Sequence, residues 1–255
     1  MTPALYLLAR PQFTADYRRF LAANGVVWKE SEAGDAERLV EFSGRVCYMS
    51  FGSRQSPRDN QAYIANLIDQ GHDSVLEHAN WTFVLEGVSR AFTHQFVRHR
   101  AGFSFSQLSQ QYYDQTEAEF VVPVDLEEDP VAYAAWRAAI EAARTAYATI
   151  QSRLHGPDSA SKTKKERLRA IRSAARSVLP NATETKIVVT ANARSLRHFL
   201  EVRGSIEGDV EMRQVSGLVY SMLQQEAPSL ISDFQNAAAD GEIPRITHRR
   251  DGARR

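Results

Sequence analysis

The segment from Gly71 to Tyr113 restricts the fold more than any other part of this chain. In WTFVLEG, Trp81, Phe83 and Leu85 take alternate positions among β-forming residues, the pattern of a half-buried strand. Ser89 then stands where a helix cap is needed, before Phe92, Phe96 and Val97, whose spacing puts them on one helical face. This helix runs directly into Arg98, His99 and Arg100, so a basic triplet lies at its C-terminus. Ser104, Ser106, Gln107, Ser109, Gln110 and Gln111 follow, a donor-rich run suited to phosphates and polar heterocycles. No carboxylate occurs between Glu86 and Asp114, so nothing local neutralises the triplet and an external anion is the simplest counter-charge. A solvated helix end, with basic side chains offsetting the helix dipole, is the competing reading.

The remainder alternates strands and helices. Leu5 and Leu7 in ALYLLAR predict an opening strand, and an amphipathic helix capped at Asp35 continues through Leu39, Val40 and Val46. A helix over about Asn60 to Asp69 ends at Gly71. EFVVPV reads as a returning strand; Pro130 opens an Ala-rich helix to about Leu154, where Gly156-Pro157 breaks it. Ser161 to Leu179 reads as a helix with a basic outer face, KIVVT as a strand, and ARSLRHFLEVR and Val210 to Glu226 as helices. THRRDGARR reads as a structureless tail. With no repeat and no break in composition, the expectation is one α+β domain over residues 1–240 and a basic tail over 241–255.

Composition removes several function classes. Lys plus Arg equals Asp plus Glu at 31 each, so no global field favours nucleic acid or an anionic membrane as partner. No stretch approaches the roughly 18 apolar residues of a membrane span, and the N-terminus carries no cleavage signal, which predicts a cytoplasmic protein. Cys47 is the one cysteine; it allows no intramolecular disulfide and no cysteine-based zinc site, and it reads as a small hydrophobe on a buried helix. His72, His78, His94, His99 and His198 lack metal-ligand spacing, so no metal is expected. No GxGxxG or Walker loop is present. Two further basic runs remain: Arg169, Arg172 and Arg176, read as surface charges, and Arg194, Arg197 and Arg203, read as snorkelling from an apolar helix.

At RHRAGFSFSQLSQQYY the chain resembles the signature of the flavin-dependent thymidylate synthases. Companions occur in the family's order: RVCY and GHDSVLEH upstream, then ARSVLP, TANARSLRHFLEVRG and DVEMRQ, so that the resemblance spans roughly Gly44 to Gln214. It implies an α+β fold with a mixed sheet flanked by helices, assembled as a homotetramer with sites shared between subunits. It implies that His78, Arg98, His99, Arg100, Asn192, Arg194 and His198 hold FAD. It further implies that Gln95, Gln107, Ser109, Gln111, Arg176 and Arg203 stand at nucleotide positions, with Arg203 and Ser109 nearest the chemistry. The reaction implied is C5-methylation of dUMP, UMP or both, with methylenetetrahydrofolate as carbon donor and NADPH as reductant. No enzyme cysteine takes part.

Two departures stand out. Eight residues, Ala101 to Leu108, separate Arg100 from Ser109, one more than the family pattern, and Gln111 stands where the family has an Arg. Both fall in the nucleotide-binding half of the signature and direct attention to the ribose 2′ position and the phosphate. The competing functions are a flavin- or nucleotide-binding homologue without methyl transfer, and a basic-patch RNA binder.

Overall fold

The computed structural model describes residues 1–56, 58–154 and 164–249. The helix break at Gly156-Pro157, residues Ser161 to Thr163 and the tail from Arg250 onward lie outside them. In chain order the elements are β1 (Ala4–Ala9), α1 (Tyr17–Ala23), α2 (Asp35–Tyr48), α3 (Asn60–Asp69), β2 (Asn80–Ser89), α4 (Arg90–Phe96) and β3 (Phe103–Gln107). Then follow α5 (Pro130–Leu154), α6 (Lys164–Ala175), β4 (Glu184–Asn192), α7 (Ala193–Arg203), α8 (Val210–Glu226), β5 (Phe234–Asn236) and β6 (Ile246–His248). The class is α+β, as expected.

The main sheet has the order β1-β2-β4-β3. Thr82 meets Thr190 while Gly87 meets Glu184, and Leu108 bonds Lys186 while Asn192 bonds Gly102, so β4 runs antiparallel to both neighbours. Gly87, near the end of β2, lies against Thr2, just ahead of β1, which makes that pair antiparallel too. The expected mixed sheet is therefore corrected: alternation along a strand assigns its faces but carries no information about direction. Trp81, Phe83 and Leu85 on β2 are fully buried, as their spacing predicts.

Contacts divide the chain into two compact units, with each strand of the main sheet contributing to both: Met1–Ala4, Leu85–Arg98 and Ser106–Val188 form one, and Leu5–Val84, His99–Phe105 and Val189–Arg255 the other. In the first, α5 packs on α6. The buried Tyr147 of α5 accepts the Gln115 N–H at 3.0 Å, and Arg144 caps the Ala118 carbonyl and covers the Phe120 ring. The strand read at EFVVPV reduces to one bridge, Phe120 to Thr183, because Pro123 ends any ladder and a 3-10 turn over Val124–Leu126 follows. The helix expected to reach Leu179 stops as α6 at Ala175 and tightens into a 3-10 turn over Arg176–Val178; Leu179, preceding Pro180, is forced to extended geometry.

In the second unit, Phe13, Tyr17, Phe20, Trp28, Phe42 and Phe51 form an aromatic core. Beside it lies a buried polar network. Glu41 is 1% exposed and Arg45 0%; Arg45 Nε donates to Glu41 at 2.7 Å, and Asn60 and the Trp28 indole donate to the same carboxylate. The Arg45 guanidinium also covers the Tyr63 ring, 4.4 Å from its centroid. Asp35, expected as a cap, is the first helical residue of α2; Gly34 takes the cap position, and its N–H is bonded by Glu37. Cys47 is exposed rather than buried, since the apolar face of α2 is carried by other positions. Arg197 does not snorkel: it forks onto Asp233 at 2.6 and 2.8 Å and donates to the Leu230 carbonyl. Burial opposes the ionised Asp233, yet the Arg197 fork outweighs it and holds the carboxyl below its usual range. Thr247 and His248, read as tail, form β6 with Ile246 and pair antiparallel with β5.

Removing one partner of the Glu41–Arg45 pair leaves the other charge buried. Glu41→Ala is expected to destabilise the protein by about 3–5 kcal/mol in urea unfolding, and a loss under about 1 kcal/mol would mean that water reaches Arg45.

Candidate functional site

All but one of the residues assigned to flavin lie in the second unit, and all but one assigned to the nucleotide in the first; Arg98 and Arg203 are the exceptions. In the second unit, the turn Ala101-Gly102 after the basic triplet is tied to the start of α7. Asn192 caps α7, accepting the Ser195 N–H at 2.9 Å, and its own N–H donates to the Gly102 carbonyl at 3.3 Å. Ser195 Oγ donates to the Ala101 carbonyl at 2.7 Å. Gly102 has φ +71°, and a Cβ there would lie 2.0 Å from Ser195 Oγ and 2.5 Å from Asn192 Nδ2. Beyond this turn β3 begins at Phe103.

The same docking brings His99 against the end of α7. Arg203 Nε donates to His99 Nε2 at 3.3 Å. The imidazole stands edge-on to Phe199, 5.4 Å between centroids, with Phe103 at 6.0 Å and His198 at 6.4 Å. Burial first, then Arg203 and His198, hold the His99 pKa below the ordinary imidazole value. At the other end of α7 the Ala193 N–H donates to the Ala79 carbonyl and Arg194 pairs with Glu77 at 2.6 Å, which puts Arg194 beside His78. Arg100 is exposed and, among the described residues, makes no side-chain hydrogen bond or ion pair.

In the first unit, Gln107 donates to the hydroxyls of Thr93 at 2.9 Å and Thr185 at 3.3 Å, which fixes it between α4 and β4. Ser109 organises the turn beyond β3: its carbonyl accepts the Tyr112 and Tyr113 N–H groups and its hydroxyl the Gln111 N–H. Gln111 reaches Ser173 of α6 at 3.4 Å. Arg172, read as a surface charge, donates to the Tyr112 carbonyl at 2.6 Å, and Arg169 covers the Tyr112 ring at 4.9 Å. Gln95 and Arg98 are exposed on and just beyond the last turn of α4.

One residue of this group escaped the sequence reading. Arg90 opens α4, and its pKa is lowered by burial and by the neighbouring Arg176. Its Nη1 is buried and has no hydrogen-bond partner among the described residues. Two guanidinium groups that act on each other, one carrying a buried donor with no partner among the described residues, make this a candidate anion site. A signal existed: a cation at the first position of a helix opposes the dipole and needs a reason. Among the described residues no group of three His, Cys, Asp or Glu could hold a metal ion, and no helix is long and apolar enough to cross a membrane.

Gly102→Ala combines a left-handed backbone with a steric overlap. It is expected to cost about 1–3 kcal/mol of stability in urea unfolding. A loss of only a few tenths would show that the turn relaxes away from α7.

The family model described as thymidylate synthase complementing protein matches residues 30–229. The flavin-dependent thymidylate synthase of Mycolicibacterium gilvum (strain PYR-GCK) is 45% identical over 225 residues, covering 87% of this chain and 89% of that protein. Proteins of the same description from Mycobacterium avium (strain 104) and Corynebacterium efficiens are 43% and 42% identical, with the same shares covered. With the matched region containing the basic triplet, the capped start of α7 and the Arg90–Arg176 pair, the chain belongs to the thymidylate synthase complementing protein family.

Proposed function

We propose that this chain is a flavin-dependent methyltransferase of the thymidylate synthase type, acting at C5 of a uridine 5′-monophosphate. The observation that carries the reading is the Arg90–Arg176 pair, whose unused Nη1 donor and concentrated positive charge suit a phosphate. Gln107 and Ser109 lie on the strand end and turn of the same unit, with polar groups suited to a uracil and a sugar. Gln95 and Gln111 complete the nucleotide set.

FAD fits the residues of the second unit together with Arg98. Arg98 and Arg100 are exposed cations without carboxylate partners among the described residues, as a pyrophosphate requires. His78, His99, Asn192, Arg194 and His198 would hold it with them. When bound, the flavin supplies the redox chemistry, with NADPH as reductant and methylenetetrahydrofolate as carbon donor. The protein's own part is positioning and charge. Arg203 stabilises negative charge on the uracil oxygens as C5 becomes nucleophilic, while Arg90, Arg176 and Ser109 anchor the nucleotide. Cys47, the chain's one cysteine, is exposed on α2 and takes no part as a nucleophile. In a homotetramer with sites shared between subunits, the two residue sets need not meet within one chain.

Gln111 bears on the substrate. An amide pinned to Ser173 offers no charge-assisted fork to a phosphate, so the Arg90–Arg176 pair carries more of that task here. A neutral, hydrogen-bonding side chain near the sugar also favours acceptance of a 2′-hydroxyl. The test is turnover of dUMP and UMP in parallel with methylenetetrahydrofolate and NADPH. Both are expected to be methylated, with kcat/KM values within about a thousandfold, or roughly 4 kcal/mol. A wider preference for dUMP would remove UMP from the reading, and flavin binding without turnover of either would mean a binding homologue.

The anion receptor has its own test. Arg90→Met is expected to raise the nucleotide KM about 10- to 100-fold while the flavin stays bound. An unchanged KM would show that the phosphate is held elsewhere.

A further inference from the structure

The bond between Arg203 and His99 joins a residue of the nucleotide set to one of the flavin set. Resting on the functional reading above, we propose that His99 is a positioning residue for Arg203: its neutral imidazole accepts the Arg203 Nε–H, aims the guanidinium, and releases it when the ring takes up a proton.

The geometry requires this chemistry. Arg203 Nε is a donor under all conditions, so His99 Nε2, 3.3 Å away, must be an acceptor, which exists only on the neutral ring with its proton on Nδ1. Protonation converts Nε2 to a donor and adds a positive charge facing a positive charge. The ring is held edge-on against Phe199 and tilted against Phe103, so the contact is built from both the helix and the strand. The charged groups acting on it are Arg203 and His198, both on α7 and both opposing protonation, and Arg98 and Arg100 flank it in the chain. With Nε engaged, Arg203 presents only its Nη edge, and among the described residues those nitrogens make no hydrogen bond. A planar guanidinium fixed through Nε has one remaining orientation for a planar base.

The sign of the pH effect follows. Because the His99 pKa is held below the ordinary value of about 6.5, the bond is intact at neutral pH and is lost only as pH falls below that value. Nucleotide affinity should then fall on the acid side through loss of Arg203 alignment.

The experiment measures the dissociation constant of dUMP for the flavin-loaded protein from about pH 5 to pH 8, in the wild type and in His99→Gln. The Gln Oε1 can stand where Nε2 accepts and does not titrate in this range. Protonation of the nucleotide phosphate, near pH 6, weakens binding equally in both proteins and cancels in the comparison. The wild type is expected to lose about tenfold more affinity than His99→Gln between neutral and acid pH, and Arg203→Lys to abolish the difference. Parallel profiles for wild type and His99→Gln would overturn the proposal. An independent readout is the Arg203 Nε–H resonance of the wild-type protein, assigned through its disappearance in Arg203→Lys. Its displacement with pH supports the coupling and its invariance defeats it, whether or not dUMP binds. Absence of dUMP binding at every pH together with a titrating Arg203 resonance would instead remove the functional reading and leave the His99–Arg203 coupling standing.

Discussion

The docking of the Ala101-Gly102 turn onto the capped start of α7 is the constraint on which the second unit's chemistry depends. Asn192 serves two partners, the helix N-terminus through its side chain and the Gly102 carbonyl through its backbone, while Ser195 returns a bond to Ala101. These groups have no room for a side chain at position 102. The turn follows His99 by only two residues, so fixing it fixes the imidazole, and the opposite end of the same helix supplies Arg203. A helix of eleven residues, stiff over about 1.5 Å per residue, thus carries Asn192 and Arg194 at one end and His198 and Arg203 toward the other.

Charge is distributed by an analogous economy of partners. Where the fold needs a cation for itself, it provides a carboxylate: Arg45 has Glu41 and Arg197 has Asp233. Arg90 and Arg176, which act on each other, and Arg98, Arg100 and Arg203 have none among the described residues. Cations without counter-charge weaken a folded protein unless a ligand supplies it, so under the proposed function these positions would exchange stability for binding.

Much of this was legible in the chain as written. The alternation of Trp81, Phe83 and Leu85, the Ser89 cap, and the apolar spacing of Leu196, Phe199 and Leu200 each report a local rule, and each element formed where its rule placed it. The strand β3 was missed because Ser104, Ser106 and Gln107 mask its alternation; its partner β4, not its composition, makes it a strand. Arg197 was misread because its partner Asp233 lies 36 residues away, beyond any local window.

The sequence by itself determined the helices other than α1, the strands β1, β2 and β4, the absence of local carboxylates around Arg98, His99 and Arg100, and the family signature, since all of these depend on neighbours within a few residues. Tertiary structure alone decided the antiparallel direction of the sheet, the exposure of Cys47, the meeting of Arg90 with Arg176 and the bond from Arg203 to His99. The physical reason is common to these: a strand's direction, a side chain's burial and a guanidinium's partner are set by groups distant in the chain, and a hydrogen bond exists only once folding has brought its donor and acceptor within about 3 Å.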